Sequence, residues 1–183
     1  MKKTILCLFF PFLLASGCAS NPVDSVKNGV LNLDKSTTIG DVFKGYKYFT
    51  NGEWKVIHDQ QNRTIVQFSG TLPRFTKQFW NNLAENNHYF AKIEEDENPY
   101  IHKKVNKIMY IAQFKIDKDD TSKFNLSYSG LMFIGYNNEE RDIEDGDELT
   151  YLRAIYKNND ELIEWFTTAL PLMINSPNFF EKK

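Results

Sequence analysis

Cysteine is nearly absent. Cys7 and Cys18 are the only two in 183 residues. A disulfide framework is therefore excluded for any domain that follows them. A cysteine-rich zinc site is excluded as well. The three histidines, His58, His88 and His102, have no metal-ligand spacing to one another, so no metal and no cofactor are expected. A Gly-x-Ser-x-Gly elbow, a Walker loop and a dinucleotide fingerprint are all missing. Neither charge sign dominates: 22 basic against 24 acidic side chains leave a formal charge of −2. A mildly acidic chain is a poor partner for nucleic acid. Apolar runs long enough to span a bilayer, roughly 20 residues, do not occur.

One shorter run does occur. Lys2 and Lys3 precede an apolar stretch from Ile5 to Ala15, and small residues close it. A charged start, a short apolar middle and a small-residue end define a secretory signal. Pro11 inside the run argues against a core helix. The end reads Leu14-Ala15-Ser16-Gly17-Cys18. This resembles the lipobox of bacterial lipoproteins. The resemblance implies cleavage between Gly17 and Cys18, with Leu14, Ala15, Ser16 and Gly17 read by the signal peptidase. It also implies acylation of Cys18. Two or more acyl chains hold a protein stably on a membrane. Residue 19 is alanine rather than aspartate, which by the same resemblance sends the protein to the outer membrane, facing the periplasm.

Removing residues 1–17 leaves 166 residues and moves the formal charge from −2 to −4, because two lysines go with the signal. That length is one domain. The expected organisation is a signal at 1–17, lipidated Cys18 with a tether at 18–28, one α+β domain at 29–176, and a tail at 177–183. Within the tether, "ASNPVDS" is small and polar.

Period changes along the chain predict the elements. Ile39, Val42, Phe43, Tyr46 and Phe49 share one helical face over residues 36–49. Thr38 and Asp41 match a capping pattern at its start. Trp54–Asp59 and Thr64–Gly70 flank "QQNR" as a hairpin. Pro73 opens either a short helix bearing Phe75, Phe79, Trp80 and Leu83 or a continued strand. Ile108–Ile116 is nearly continuously apolar and predicts a central strand. Phe124–Tyr136 predicts its partner, with Phe124, Leu126 and Tyr128 on one face and Gly130 as the place for a bulge. "NNEERDIEDGDE" predicts an acidic loop, followed by helices over Asp147–Tyr156 and from Asp160 to before Pro171. The sum is an antiparallel sheet of about four strands, packed by an N-terminal helix and C-terminal helices: an α+β class.

The stretch "VKNGVLNLDKSTTIGDVFKGYKYF…W", then "NRTIVQFSG", then "AQFKIDKDD…FNLSYSGL" resembles a family of small uncharacterised proteobacterial lipoproteins. The likeness covers about Val26 to Leu131 and implies fold and localisation only. A helix before an antiparallel hairpin is also similar, at fold level, to the small lipoprotein of the β-barrel assembly machine and to the β-lactamase-inhibitor-protein fold.

Asp142, Glu144, Asp145, Asp147 and Glu148 invite a calcium reading, but glycine stands fifth where an EF-hand loop needs it sixth. The bland alternative is a solvated loop whose acids favour the next helix N-terminus. Glu94–Glu97 reads as a solvated loop. With no catalytic constellation in view, the expectation is a protein-binding or envelope-associated module rather than an enzyme. An inhibitor or immunity-type lipoprotein, with Glu94 to Lys104 as its protruding loop, is the alternative, and a hydrolase with an unrecognised site the third. Candidate partner contacts are Phe79 and Trp80, adjacent on a predicted helix and unable both to face one core, and the tail pair Phe179 and Phe180, which docks either on the fold or on a partner. Oligomeric state is not legible.

Overall fold

The computed structural model describes residues 21–74, 76, 79, 85, 105–146, 149–168 and 179–180. Two short helices come first, α1 (Pro22–Lys27) and α2 (Ile39–Gly45). Five strands follow: β1 (Asn51–His58), β2 (Thr64–Thr71), β3 (Val105–Ile116), β4 (Phe124–Gly135) and β5 (Glu140–Glu144). Two helices, α3 (Thr150–Lys157) and α4 (Glu161–Thr168), close the described chain. The strands pair antiparallel in the order β1-β2-β3-β4-β5. This is the expected α+β class, with five strands instead of about four.

The extra strand is β5, inside the stretch predicted as an acidic loop. Asn138 takes a left-handed backbone (φ 63°), and Gly135 N–H donates to Glu139 O at 2.8 Å. That tight turn returns the chain against β4, where Ile143 pairs with Leu131 and packs on the core. Glu140, Asp142 and Glu144 alternate outward and are exposed. The charge run hid a period of two.

The first helix is a second correction. The tether is expected at 18–28, and α1, Pro22–Lys27, lies wholly inside it. Asn21 instead caps α1, its side chain accepting from Val23 N–H at 3.1 Å. Pro22 occupies the first turn, where its fixed φ suits a helix. Val26 is fully buried. The first described element begins at Pro22.

α2 starts where predicted. Thr38 Oγ1 accepts from Asp41 N–H at 3.2 Å and donates to Asp41 Oδ2 at 2.7 Å. It ends at Gly45, earlier than the apolar period implied, because Tyr46 turns extended. Phe49 is then carried outside the helix and laid over Gly70 of β2, where an added Cβ would meet its ring at 2.6 Å. The loop is held at its far side by Tyr48, whose hydroxyl donates to Asp160 Oδ1 at 2.6 Å. Lys47 also pairs with Asp160 at 2.5 Å.

The helices cover one face of the sheet. Phe43 of α2 stacks on Phe68 (centroids 4.3 Å apart) and edges onto Tyr110. Phe166 of α4 meets Phe133 of β4 edge-on at 6.3 Å. Both aromatic groups belong to one continuous core. Aromatic pairs in these geometries add about 0.5–1.5 kcal/mol each beyond area burial.

A bulge keeps β4 in register with that core. Gln113 pairs with Tyr128 and Phe114 with Leu126, so Ser127 is the extra residue. Its hydroxyl donates to Gln113 O at 3.1 Å. The extra residue inverts the alternation. Phe124 and Leu126 face the core before it; Leu131 and Phe133 face the core after it. Tyr128 therefore points to the opposite face from Phe124 and Leu126, contrary to the sequence expectation. The bulge lies at Ser127, not at Gly130.

Candidate functional site

The one buried carboxylate of the described residues joins the sheet to α3. Asp145 is 6% exposed. Its Oδ2 accepts from Ser129 Oγ at 3.1 Å and from Leu152 N–H at 3.0 Å. Its Oδ1 accepts from Tyr151 N–H at 3.1 Å. Ser129 in turn lies 2.9 Å from the Tyr110 hydroxyl. Burial holds the Tyr110 hydroxyl well above the usual tyrosine range, with the Asp145 charge reinforcing it and the Ser129 hydrogen bond opposing it.

A serine bonded to a carboxylate invites a nucleophile reading. The geometry argues against it. Ser129 is 3% exposed, and the carboxylate already accepts from the serine and two helix amides. No described histidine adjoins the group; His58 is exposed on β1. Its work is mechanical: a carboxylate on the free amides at a helix start is stabilising. The acid serves the next helix, as the bland reading expects, but it is buried rather than solvated. Among the described residues no group of three metal-ligating side chains comes together. Asp147 and Glu148 lie outside the described residues.

Two surface clefts stand at opposite ends of the sheet. The first, about 570 Å³, is lined by Thr50, Leu72, Arg74, Asn106, Ile108 and Tyr136. Arg74 Nη2 donates to Asn106 Oδ1 across it at 3.0 Å. Tyr136, at its rim, is 56% exposed. The second, about 710 Å³, lies between the β1–β2 and β3–β4 turns, close to Pro22. Of the charges that line it, Arg63 and Lys123 pair with the turn acids Asp59 and Asp120, and Asp117 accepts from the amides of Asp119 and Asp120. Asp59 accepts from the amides of Gln61 and Arg63, both at 2.9 Å, and from Arg63 Nε at 2.5 Å. The backbone bond from Arg63 leads in holding its carboxyl below the usual range. Asp120 is lowered in the same way, first by the Ser122 hydroxyl and then by Lys123. Acids bonded to their own turns are poor metal ligands.

The predicted site residues fall as follows. Leu14, Ala15, Ser16, Gly17, Cys18 and Trp80 lie outside the described residues, as do His88, His102 and the Glu94–Lys104 loop. Phe79 is half-buried, 6.3 Å from the Tyr48 ring, and packs against the core. Phe179 is 6% exposed and meets Phe133 edge-on at 5.6 Å. Phe180 packs beside it at 4.9 Å. The tail aromatics are thus part of the fold's own packing, and Phe179 offers no free surface. Sequence reasoning missed Asp145 as an individual; its position just ahead of an apolar helical period was the available signal.

Comparison with protein-family models, with curated proteins and with solved structures finds no match. Among the described residues no helix is long and apolar enough to cross a membrane.

Proposed function

We propose that this chain is an exported lipoprotein, processed before Cys18 and held by acyl chains on the periplasmic face of the outer membrane. The observation that carries the reading is the run Leu14-Ala15-Ser16-Gly17-Cys18 behind a lysine-started apolar segment. The first described helix starts at Pro22, with three residues between it and Cys18 in the sequence. The domain would work close to the bilayer.

Its role there is to bind another protein of the envelope, without chemistry of its own. Support comes from the commitment of the buried Asp145 and Ser129 to holding α3 on the sheet, and from the exposed ring of Tyr136 beside the first cleft. A photo-crosslinking side chain at position 136 tests this in intact cells. A discrete adduct with an envelope protein is expected, lost when Cys18→Ala removes the anchor. A ladder of abundant bystanders, unchanged by that substitution, contradicts it.

A further inference from the structure

Among the described residues β1 is an edge strand, paired with β2 alone. Its outward groups follow from the ladder. Asp59 N–H donates to Arg63 O at 3.2 Å, one step beyond the His58–Thr64 pair. In an antiparallel ladder, hydrogen-bonded and non-bonded pairs alternate. Ile57, Lys55, Glu53 and Asn51 therefore bond to β2, and Gly52, Trp54, Val56 and His58 aim their N–H and C=O groups away from it. The next ladder agrees. Leu72 N–H donates to Ile108 O at 3.0 Å, so even-numbered residues of β2 face β3 and odd-numbered ones face β1.

The side chains on this edge alternate in a self-complementary way. Glu53 and Lys55 flank Trp54, and both are exposed. Val56, on the helix-covered face, is 43% exposed. The axes near the middle of β1 differ in what they bring together. An axis through residue 55 sets Lys55 against its own copy, and one through 53 does the same to Glu53. An axis through 56 sets Glu53 against Asp59. An axis through Trp54 avoids all three. It places Glu53 opposite Lys55 twice, in the non-bonded pairs where side chains lie closest. It places Val56 over Gly52 twice. Gly52, Trp54 and Val56, whose outward groups meet no partner among the described residues, become the hydrogen-bonded pairs.

We infer that β1 is the docking edge for a second copy of this chain, paired antiparallel about a two-fold axis at Trp54. Two five-stranded sheets then join into one, with both helical layers on the same side. An unpaired edge is a template for another strand, and a two-fold contact must be self-complementary. The Glu-Trp-Lys order meets that condition. The inference stands apart from the reading of Cys18.

Sedimentation of the full chain in detergent, over a wide concentration range, tests it. A reversible monomer–dimer equilibrium is expected. Glu53→Lys alone and Lys55→Glu alone each create two like-charge pairs and should weaken the dimer about tenfold or more. The double reversal rebuilds both pairs and should restore it. Val56→Pro removes an outward amide only, so it should abolish the dimer while circular dichroism stays native. A wild-type chain that is monomeric throughout overturns the inference and leaves the edge to a strand of some other protein. A dimer indifferent to the single reversals, or not restored by the double one, overturns it too.

Discussion

Ser129 of β4 donates its hydroxyl hydrogen to Asp145 at 3.1 Å, and both side chains are buried. The bond ties the sheet to the start of α3, because the same carboxylate accepts from the amides of Tyr151 and Leu152. Asp145→Ala strands the serine and two helix amides at once. The expected loss is roughly 2 to 4 kcal/mol. Asp145→Asn keeps the shape but turns one acceptor into a donor, and should lose less. Urea unfolding of both variants checks the order, which would be absent if the carboxylate were merely solvated.

Gly130 is needed for close approach rather than for a bulge. A Cβ there would lie 2.7 Å from the Ile143 carbonyl oxygen and 2.5 Å from the Tyr128 hydroxyl. The first of these is backbone, so β5 must move. Gly130→Ala should cost about 1 to 3 kcal/mol. Hydrogen exchange should show the loss concentrated in the β4–β5 ladder. The control is Gly45→Ala at the end of α2, where nothing lies within 4 Å of the added carbon; it should be far milder.

Alkaline pH should unfold the chain from a defined point. Burial pushes the Tyr128, Tyr151 and Tyr156 hydroxyls up to about 12 from an ordinary 10.0. Tyr46 and Tyr110 are raised further, again first by burial. The unfolded chain thus releases these protons at lower pH than the folded one. Stability is then fully present below about pH 10 and falls as pH rises through 12. Unfolding free energy measured at stepped alkaline pH, with tyrosinate absorbance alongside, should show the decline beginning near 10 and not before.

The core of this architecture was legible in the sequence because its periods are strong. The Thr38–Asp41 cap, the first hairpin and the central strand follow from local chemistry and apolar spacing. The misses have physical causes. β5 carries one apolar residue among four charges, so hydropathy reports a loop while the alternation is still there. The Ser127 bulge depends on a partner strand, and no single strand announces its own parity change. α1 was signalled by Asn21 and Pro22, a cap and a first-turn proline, but its six residues are too few for a period to form. The tail phenylalanines left docking on the fold and contact with a partner equally open in the sequence, because the ring that Phe179 meets, Phe133, is distant in the chain. Asp145 sat within a run of acids that looked interchangeable; only the fold singles it out.

The central claim is that Cys18 is the mature, acylated first residue. Intact mass of the protein taken from its native membranes tests it most directly, beside the Cys18→Ala variant. The account predicts a mass equal to residues 18–183 plus acyl chains, and a variant that stays uncleaved or becomes soluble. An unmodified mass, cut near residue 16 or retaining residues 1–17, contradicts it.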